Sequence, residues 1–315
     1  MPWDGHPGAM SRLDLTRPFT TARGLAAGLT RADLESERFR RIVHGVHVAA
    51  AAAAADPVLA DARAALIVAA SERAVVSHHL AARVYGAPVP DTPYLHVSVP
   101  HDVKRRRREG VVVHHSGRGG TTFRSVRITS AVDTFLDLAA HLDLVDLVVL
   151  GDGLVRKRRT TQAALVAAAA SASGRGVRLA RRAAGLVRPG VDSPMESRAR
   201  LLRVLSGLPE LETDIRFFDD RGQLRRRLDA GDRATRTAVE YDGRQHIERE
   251  QHWEGDIGRR EEFEDEQWRI VTLVSKDIYT TPGETVARLR RIFAQRGIPM
   301  GRASDEWRRY FPGRS

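Results

Sequence analysis

Residues 228–246, LDAGDRATRTAVEYDGRQH, constrain the chain more than any other stretch. They read as two short strands and a turn, with acidic residues at set places. Asp229 lies on the first strand and TAVEY (237–241) forms the second. Asp242-Gly243 is a turn signal that ends it. Glu240 and Asp242 are two apart, so on a strand they point to the same face. Asp229 precedes Glu240 by 11 residues, far enough to come from a neighbouring strand. Three carboxylates converging on one point repel each other unless a cation sits between them, and hard oxygen donors of this kind suit Mg²⁺ or Mn²⁺. His246, just past the turn, is placed to act as a further ligand or as a proton carrier. The plainer alternative is a common Asp-Gly turn after a strand whose outer face carries Glu240.

The flanking text narrows the choice. SPMESRARLL (193–202), RLDAG (227–231), AVEYDGRQH (238–246), DIGRREEFE (256–264) and WRIVTLV (268–274) follow one another in that order. In this order and spacing, residues 191 to about 295 resemble the very-short-patch-repair-like branch of the PD-(D/E)xK endonucleases. The resemblance implies a mixed sheet flanked by helices over 194–206, 252–267 and 283–296. It implies a metal held by Asp229 and Glu240, support from Glu196 and Asp242, and proton transfer through His246. Glu196 is also the third residue after the Ser193 cap and so has a structural reading as the closing residue of a capping box. Arg259 and Arg260 match the arginines of the family's helix; they either hold phosphate or pair with the acidic run EEFEDE beside them. The chain departs from the wider superfamily in two places. Leu228 stands where the pattern has proline, and Asp242 stands where it has lysine. Asp232 offers a competing carboxylate, and Lys276 reads as an ordinary strand-end lysine.

The front of the chain has a different character. After a loose arm (1–16), residues 17–50 read as helix, glycine turn, helix and hairpin. Thr20 or Thr21 caps the first helix, Gly28 closes it, and Thr30 caps the second, over RADLESERF. This is a winged helix-turn-helix pattern. Arg31, Arg38, Arg40 and Arg41 fall on the second helix and the wing, where phosphates would lie, although Asp33, Glu35 and Glu37 load the same helix with negative charge. The stretch FTTARGLAAGLT, with SHHLAARVYG (77–86) and ITSAVDTFLDLA (128–139) after it, resembles the front of AbiEi-type antitoxins. That resemblance implies a mixed α+β domain over 51–190 following the winged helix. In KRRRR (104–108), Lys104, Arg105 and Arg106 form a phosphate-facing loop or a solvated turn. His78 and His79 are adjacent on a helix and diverge by about 100°, so the two do not share one metal.

The formal net charge of +11 is unevenly spread: residues 1–190 carry 27 Lys+Arg against 16 Asp+Glu, whereas 191–300 carry 20 against 22. That division suits a front half that grips nucleic acid and a back half that holds a metal. Only three basic residues are lysine, so arginine-rich coding is a second source of the charge. No cysteine is present, which excludes disulfides, thiolate zinc sites and thiol nucleophiles. No apolar run is long enough for a membrane span, and the N-terminus lacks a signal-peptide pattern. The expectation is therefore a cytoplasmic α/β protein (α+β, multidomain) with a nuclease-like region over 191–298 and a tail over 299–315. Its expected activity is metal-dependent DNA cleavage; the alternative is an antitoxin-like regulator with an inactive nuclease fold. DNA is the expected partner, no membrane is, and a toxin partner or a second copy of the chain is left open.

Overall fold

In the computed structural model, residues 13–105, 108–243 and 267–313 are described. The fold is mixed α and β, with three sheets and twelve α-helices among these residues. The chain divides into two compact units, Met1–Leu138 and Ala139–Ser315. Among the described residues no helix is long and apolar enough to cross a membrane.

The first unit opens with β1 (Phe19–Thr20), α1 (Thr21–Ala26), α2 (Arg31–Glu35), β2 (Phe39–Val43) and β3 (Val46–Ala49). Thr20 caps α1 by accepting the Arg23 N–H at 3.2 Å. Thr30 and Asp33 close a reciprocal capping box on α2, at 3.1 and 2.8 Å. α2 ends at Glu35, earlier than its pattern suggests, because Ser36 is extended and its hydroxyl donates to the Asp33 carbonyl. The three strands form an antiparallel sheet in the order β1-β3-β2, over a small core of Phe19, Leu34 and Phe39.

Then follow α3 (Ala50–Ala55), α4 (Pro57–Ala69), β4 (Val75–Val76), α5 (His78–Tyr85), β5 (Leu95–Val99), β6 (Val111–His115), β7 (Thr121–Phe123), β8 (Val126–Ile128) and α6 (Ala131–Leu138). The five strands make one mixed sheet in the order β6-β5-β4-β8-β7. The β5–β6 and β4–β8 pairs are parallel, and the other two are antiparallel.

The second unit begins with α7 (Leu144–Arg156), α8 (Gln162–Ser171), α9 (Val177–Leu186) and α10 (Pro194–Leu205). A sheet follows: β9 (Glu212–Phe218), β10 (Leu224–Asp232), β11 (Thr237–Tyr241) and β12 (Arg269–Leu273), in the order β12-β11-β10-β9. β9, β10 and β11 meander antiparallel, while β12 runs parallel to β11. α11 (Ser275–Tyr279), α12 (Pro282–Gln295) and a 3₁₀ turn at Glu306–Arg309 complete it. The last segment is packed, with Trp307 and Phe311 buried. Gly207 (φ +79°) lies so close to the Arg302 carbonyl that a Cβ there would stand 2.1 Å from its oxygen.

Candidate functional site: a carboxylate slot and two basic grooves

α10 starts where local chemistry dictates. Ser193 accepts the Glu196 N–H at 3.1 Å, and Pro194 takes the first helical position, where no N–H is needed. The Glu196 carboxylate turns back and accepts the Asp192 N–H at 2.8 Å. One helical face then carries Glu196, Ala199, Arg200 and Arg203, at spacings of three and four. With Asp229 and Ala230 of β10 and Val239 and Tyr241 of β11, these four line a slot of about 20 Å³, room for one water-sized guest.

Asp229 sits just past the last paired position of the β10–β11 ladder, Ala230↔Val239. Its carboxylate accepts the Tyr241 N–H at 2.9 Å, in place of a ladder bond. Burial pushes the Glu196 carboxyl above the usual carboxylate range, and the negative charge of Asp229 adds to the push, although the Asp192 N–H opposes it. Burial also raises the Tyr241 phenol, with Tyr279 and Asp242 adding to it.

The structure thus brings two of the expected site residues, Glu196 and Asp229, to one slot. Glu240 is the half-buried residue between two of the lining ones, Val239 and Tyr241, and is paired in register with Thr272 of β12. Asp242 follows the strand and donates its N–H to the Leu273 carbonyl at 2.8 Å. Asp232 accepts the Thr235 N–H at 2.8 Å and so closes the β10–β11 turn at the far end of the strand. Lys276 is exposed on α11. His246, Arg259 and Arg260 lie outside the described residues, as does Arg106 of the front half.

Sequence reasoning passed over the charges behind the slot. Arg200 is buried and pairs with Asp152 of α7 at 3.1 Å and with Glu210 at 3.1 Å. Asp152 also accepts the Ser197 hydroxyl and the Arg188 N–H, at 2.7 and 2.8 Å. Burial drives the Asp152 carboxyl up against all of these partners. Arg203 is buried and is pulled down to about 10, by burial first and by Arg200 second. The readable signal was the spacing of Glu196, Arg200 and Arg203 on a single helical face.

In the first unit, Arg31 and Arg41 line a groove of about 1090 Å³ with Thr21, His44, His47 and Arg108. The other two arginines of this set are engaged. Arg38 faces Asp33 at 3.7 Å. Arg40 and Arg83 flank the buried Asp61 at 3.7 and 3.6 Å. Burial raises Asp61 in spite of both arginines, and it lowers His47, with Arg41 adding to that effect. Lys104, Arg105 and Arg108 line a second groove of about 1140 Å³, beside Tyr94, His101 and His115.

No family model matches the chain. It is similar to two proteins of Mycobacterium tuberculosis described only as uncharacterized, one from strain CDC 1551 / Oshkosh and one from strain ATCC 25618 / H37Rv. Each is 28% identical over 255 residues, which is 80% of this chain and 91% of theirs. A match of that length runs through both compact units.

Proposed function

We propose that the chain is a metal-dependent DNA endonuclease of the very-short-patch-repair-like PD-(D/E)xK class, with a winged-helix front that engages DNA. The observation that carries the reading is the meeting of Glu196, from the first turn of α10, with Asp229 at the end of the β10–β11 ladder. Two acids from different elements face one small slot, and the charge of one raises the other. A like-charge pair of hard oxygen donors suits a divalent cation. The meander followed by a parallel strand, with a helix before it, gives a mixed sheet beside α10, and this supports the reading.

Asp229 and Glu240 would hold Mg²⁺ or Mn²⁺. The metal when bound supplies Lewis-acid polarisation of a phosphoryl oxygen and a more acidic water. The Tyr241 N–H orients the Asp229 carboxylate. Glu196 supports the site from α10, held by the Asp192 N–H. Asp242 flanks it, and His246 is assigned proton transfer. Arg31 and Arg41 line the front groove, where phosphate contact would occur.

Purified full-length protein with Mg²⁺ or Mn²⁺ is expected to nick supercoiled DNA. Glu240→Ala and Asp229→Asn are each expected to lower the rate about a hundredfold or more, since a lost metal ligand exceeds the 10–100-fold cost of a lost outer partner. Nicking that survives both changes sinks the reading. DNA binding is expected to weaken steeply with salt, and Arg31→Ala and Arg41→Ala to lower the log–log slope by about 1 each. One observation favours the antitoxin-like regulator: both slot carboxylates already accept backbone N–H groups. Salt-dependent DNA binding without metal-dependent nicking would select it.

A further inference from the structure

Among the described residues, β6 is the end strand of the five-stranded sheet in the first unit, with β5 on its inner side. Its parallel register with β5 runs unbroken from Leu95↔Val111 to Val99↔His115. The Leu95 N–H donates to the Gly110 carbonyl at 2.8 Å, and the Ser116 N–H donates to the Val99 carbonyl at 3.0 Å. The even-numbered residues of this stretch therefore face β5, and in a parallel ladder the alternate residues turn their N–H and C=O groups the other way. The Arg108 carbonyl accepts the Val111 N–H at 3.1 Å, and Val113 and His115 present their main-chain groups outward.

That edge lacks the guards by which exposed strands usually avoid pairing. The strand VVVHH holds no proline, no lysine and no bulge. The strand at the opposite end of the sheet, β7, is guarded by its length of three residues. The loop from β5 to β6 is tied to β6 at both ends: His115 Nε2 donates to the Val103 carbonyl at 3.1 Å, and Arg108 bridges to Val111. Loop and strand together line the groove of about 1140 Å³, which Tyr94, half exposed, also lines. The lining is positive. It carries Lys104, Arg105 and Arg108 against Asp102 and Glu109, and Asp102 already pairs with Arg73 at 2.6 Å.

We propose that the outer edge of β6 is a docking site that takes an acidic, extended segment of a partner protein as a sixth strand of this sheet. A sheet edge offers donors and acceptors in turn, and another peptide strand matches both. The backbone of DNA offers acceptors alone, so it satisfies the cations of the loop and leaves the carbonyls of the strand unmatched. Main-chain bonds to Val113 and His115 hold the segment in register. Its carboxylates meet Lys104, Arg105 and Arg108, and Tyr94 covers an apolar residue beside them. Main-chain pairing is blind to sequence, so the charge of the groove is what selects the segment. The site is independent of the carboxylate slot.

The full-length protein is titrated with a labelled peptide of about nine residues, alternating Glu and Val and roughly 30 Å long when extended. The same peptide with Lys in place of Glu, and a short DNA duplex, are titrated in parallel. The Glu/Val peptide is expected to bind, more weakly as salt is raised, and the Lys/Val peptide is expected not to bind. Lys104→Glu with Arg105→Glu is expected to weaken the binding roughly tenfold or more. Val113→Pro removes an outward N–H and no bond to β5, which an edge strand tolerates, and is expected to weaken binding to a similar extent. Amide hydrogen exchange of the wild-type chain needs no variant. The peptide is expected to slow exchange at Val113 and His115 and to leave Val112 and His114, which face β5, as they were. Failure of the Glu/Val peptide to bind, equal binding of the Lys/Val peptide, or binding that leaves exchange at Val113 and His115 unchanged each overturns the proposal. So does a duplex that binds through Lys104 and Arg105 and excludes the peptide, which would assign the loop to phosphate.

Discussion

Two places on α10 a single turn apart treat charge in opposite ways. At Arg200 the charges are balanced: the guanidinium meets Asp152 and Glu210, and Asp152 takes further hydrogen bonds from Ser197 and the Arg188 backbone. At Glu196 the neighbouring charge across the slot is Asp229, of the same sign. Burying charge is tolerated when partners surround it and is costly when like meets like. The balanced place has the character of a scaffold, tying α7 to α10. The unbalanced place is where the cation proposed above would relieve the repulsion.

If that contrast holds, the largest stability loss belongs to the balanced place. Arg200→Met leaves the buried Asp152 without its counter-ion, and unfolding in urea is expected to show a loss of about 3–5 kcal/mol. Adding Asp152→Leu removes the orphaned charge, so the double variant is expected to recover part of that loss. A double variant as unstable as the sum of the two single changes would show that the pair was not the source of the effect.

Asp137, in the first unit, stands between the two cases. Arg118 contacts it, yet burial, the dominant cause, raises its carboxyl to about 6. The folded state therefore holds a proton that the unfolded chain releases near 3.8. The contribution is fully present below that value and is lost as pH rises through about 6. The expected size is on the order of 1–2 kcal/mol between pH 4 and pH 7. Asp137→Asn is expected to flatten this part of the stability curve; an unchanged slope would place the titration elsewhere.

These pairings also show which features could be read from the sequence. Ser193, Pro194 and Glu196 announce α10 because capping is settled within four residues, and the start of the helix falls where the text puts it. The strand TAVEY was equally legible, since its composition and the Asp242-Gly243 turn that ends it are local. β1 and β7 were not; strands of two and three residues exist through their partners, as Phe19 does opposite His47. The alanine run 49–55, too short for a membrane span, forms the helix Ala50–Ala55, in keeping with alanine's high propensity. At the slot, the acids themselves were visible in the text. The Tyr241 N–H on Asp229 was not, because it depends on where the β10–β11 ladder stops. Asp152 lies 48 residues before Arg200, and their pairing depends on how α7 packs on α10.

The finest test of the contrast is Glu196→Gln. The raised carboxyl means that the ionised form is held at a cost, stability being present at low pH and lost as pH rises through the folded value. Glutamine keeps the shape and the carbonyl that accepts the Asp192 N–H, and it removes the charge facing Asp229. At neutral pH the variant is expected to be slightly more stable, by less than about 1 kcal/mol, with Tm rising and its pH dependence reduced. The same change is expected to lower metal-dependent nicking about 10–100-fold, as loss of an outer partner does. A gain in stability coupled to a loss of activity is what a site strained for function produces. A variant that loses both would place Glu196 with the scaffold, as a cap and nothing more.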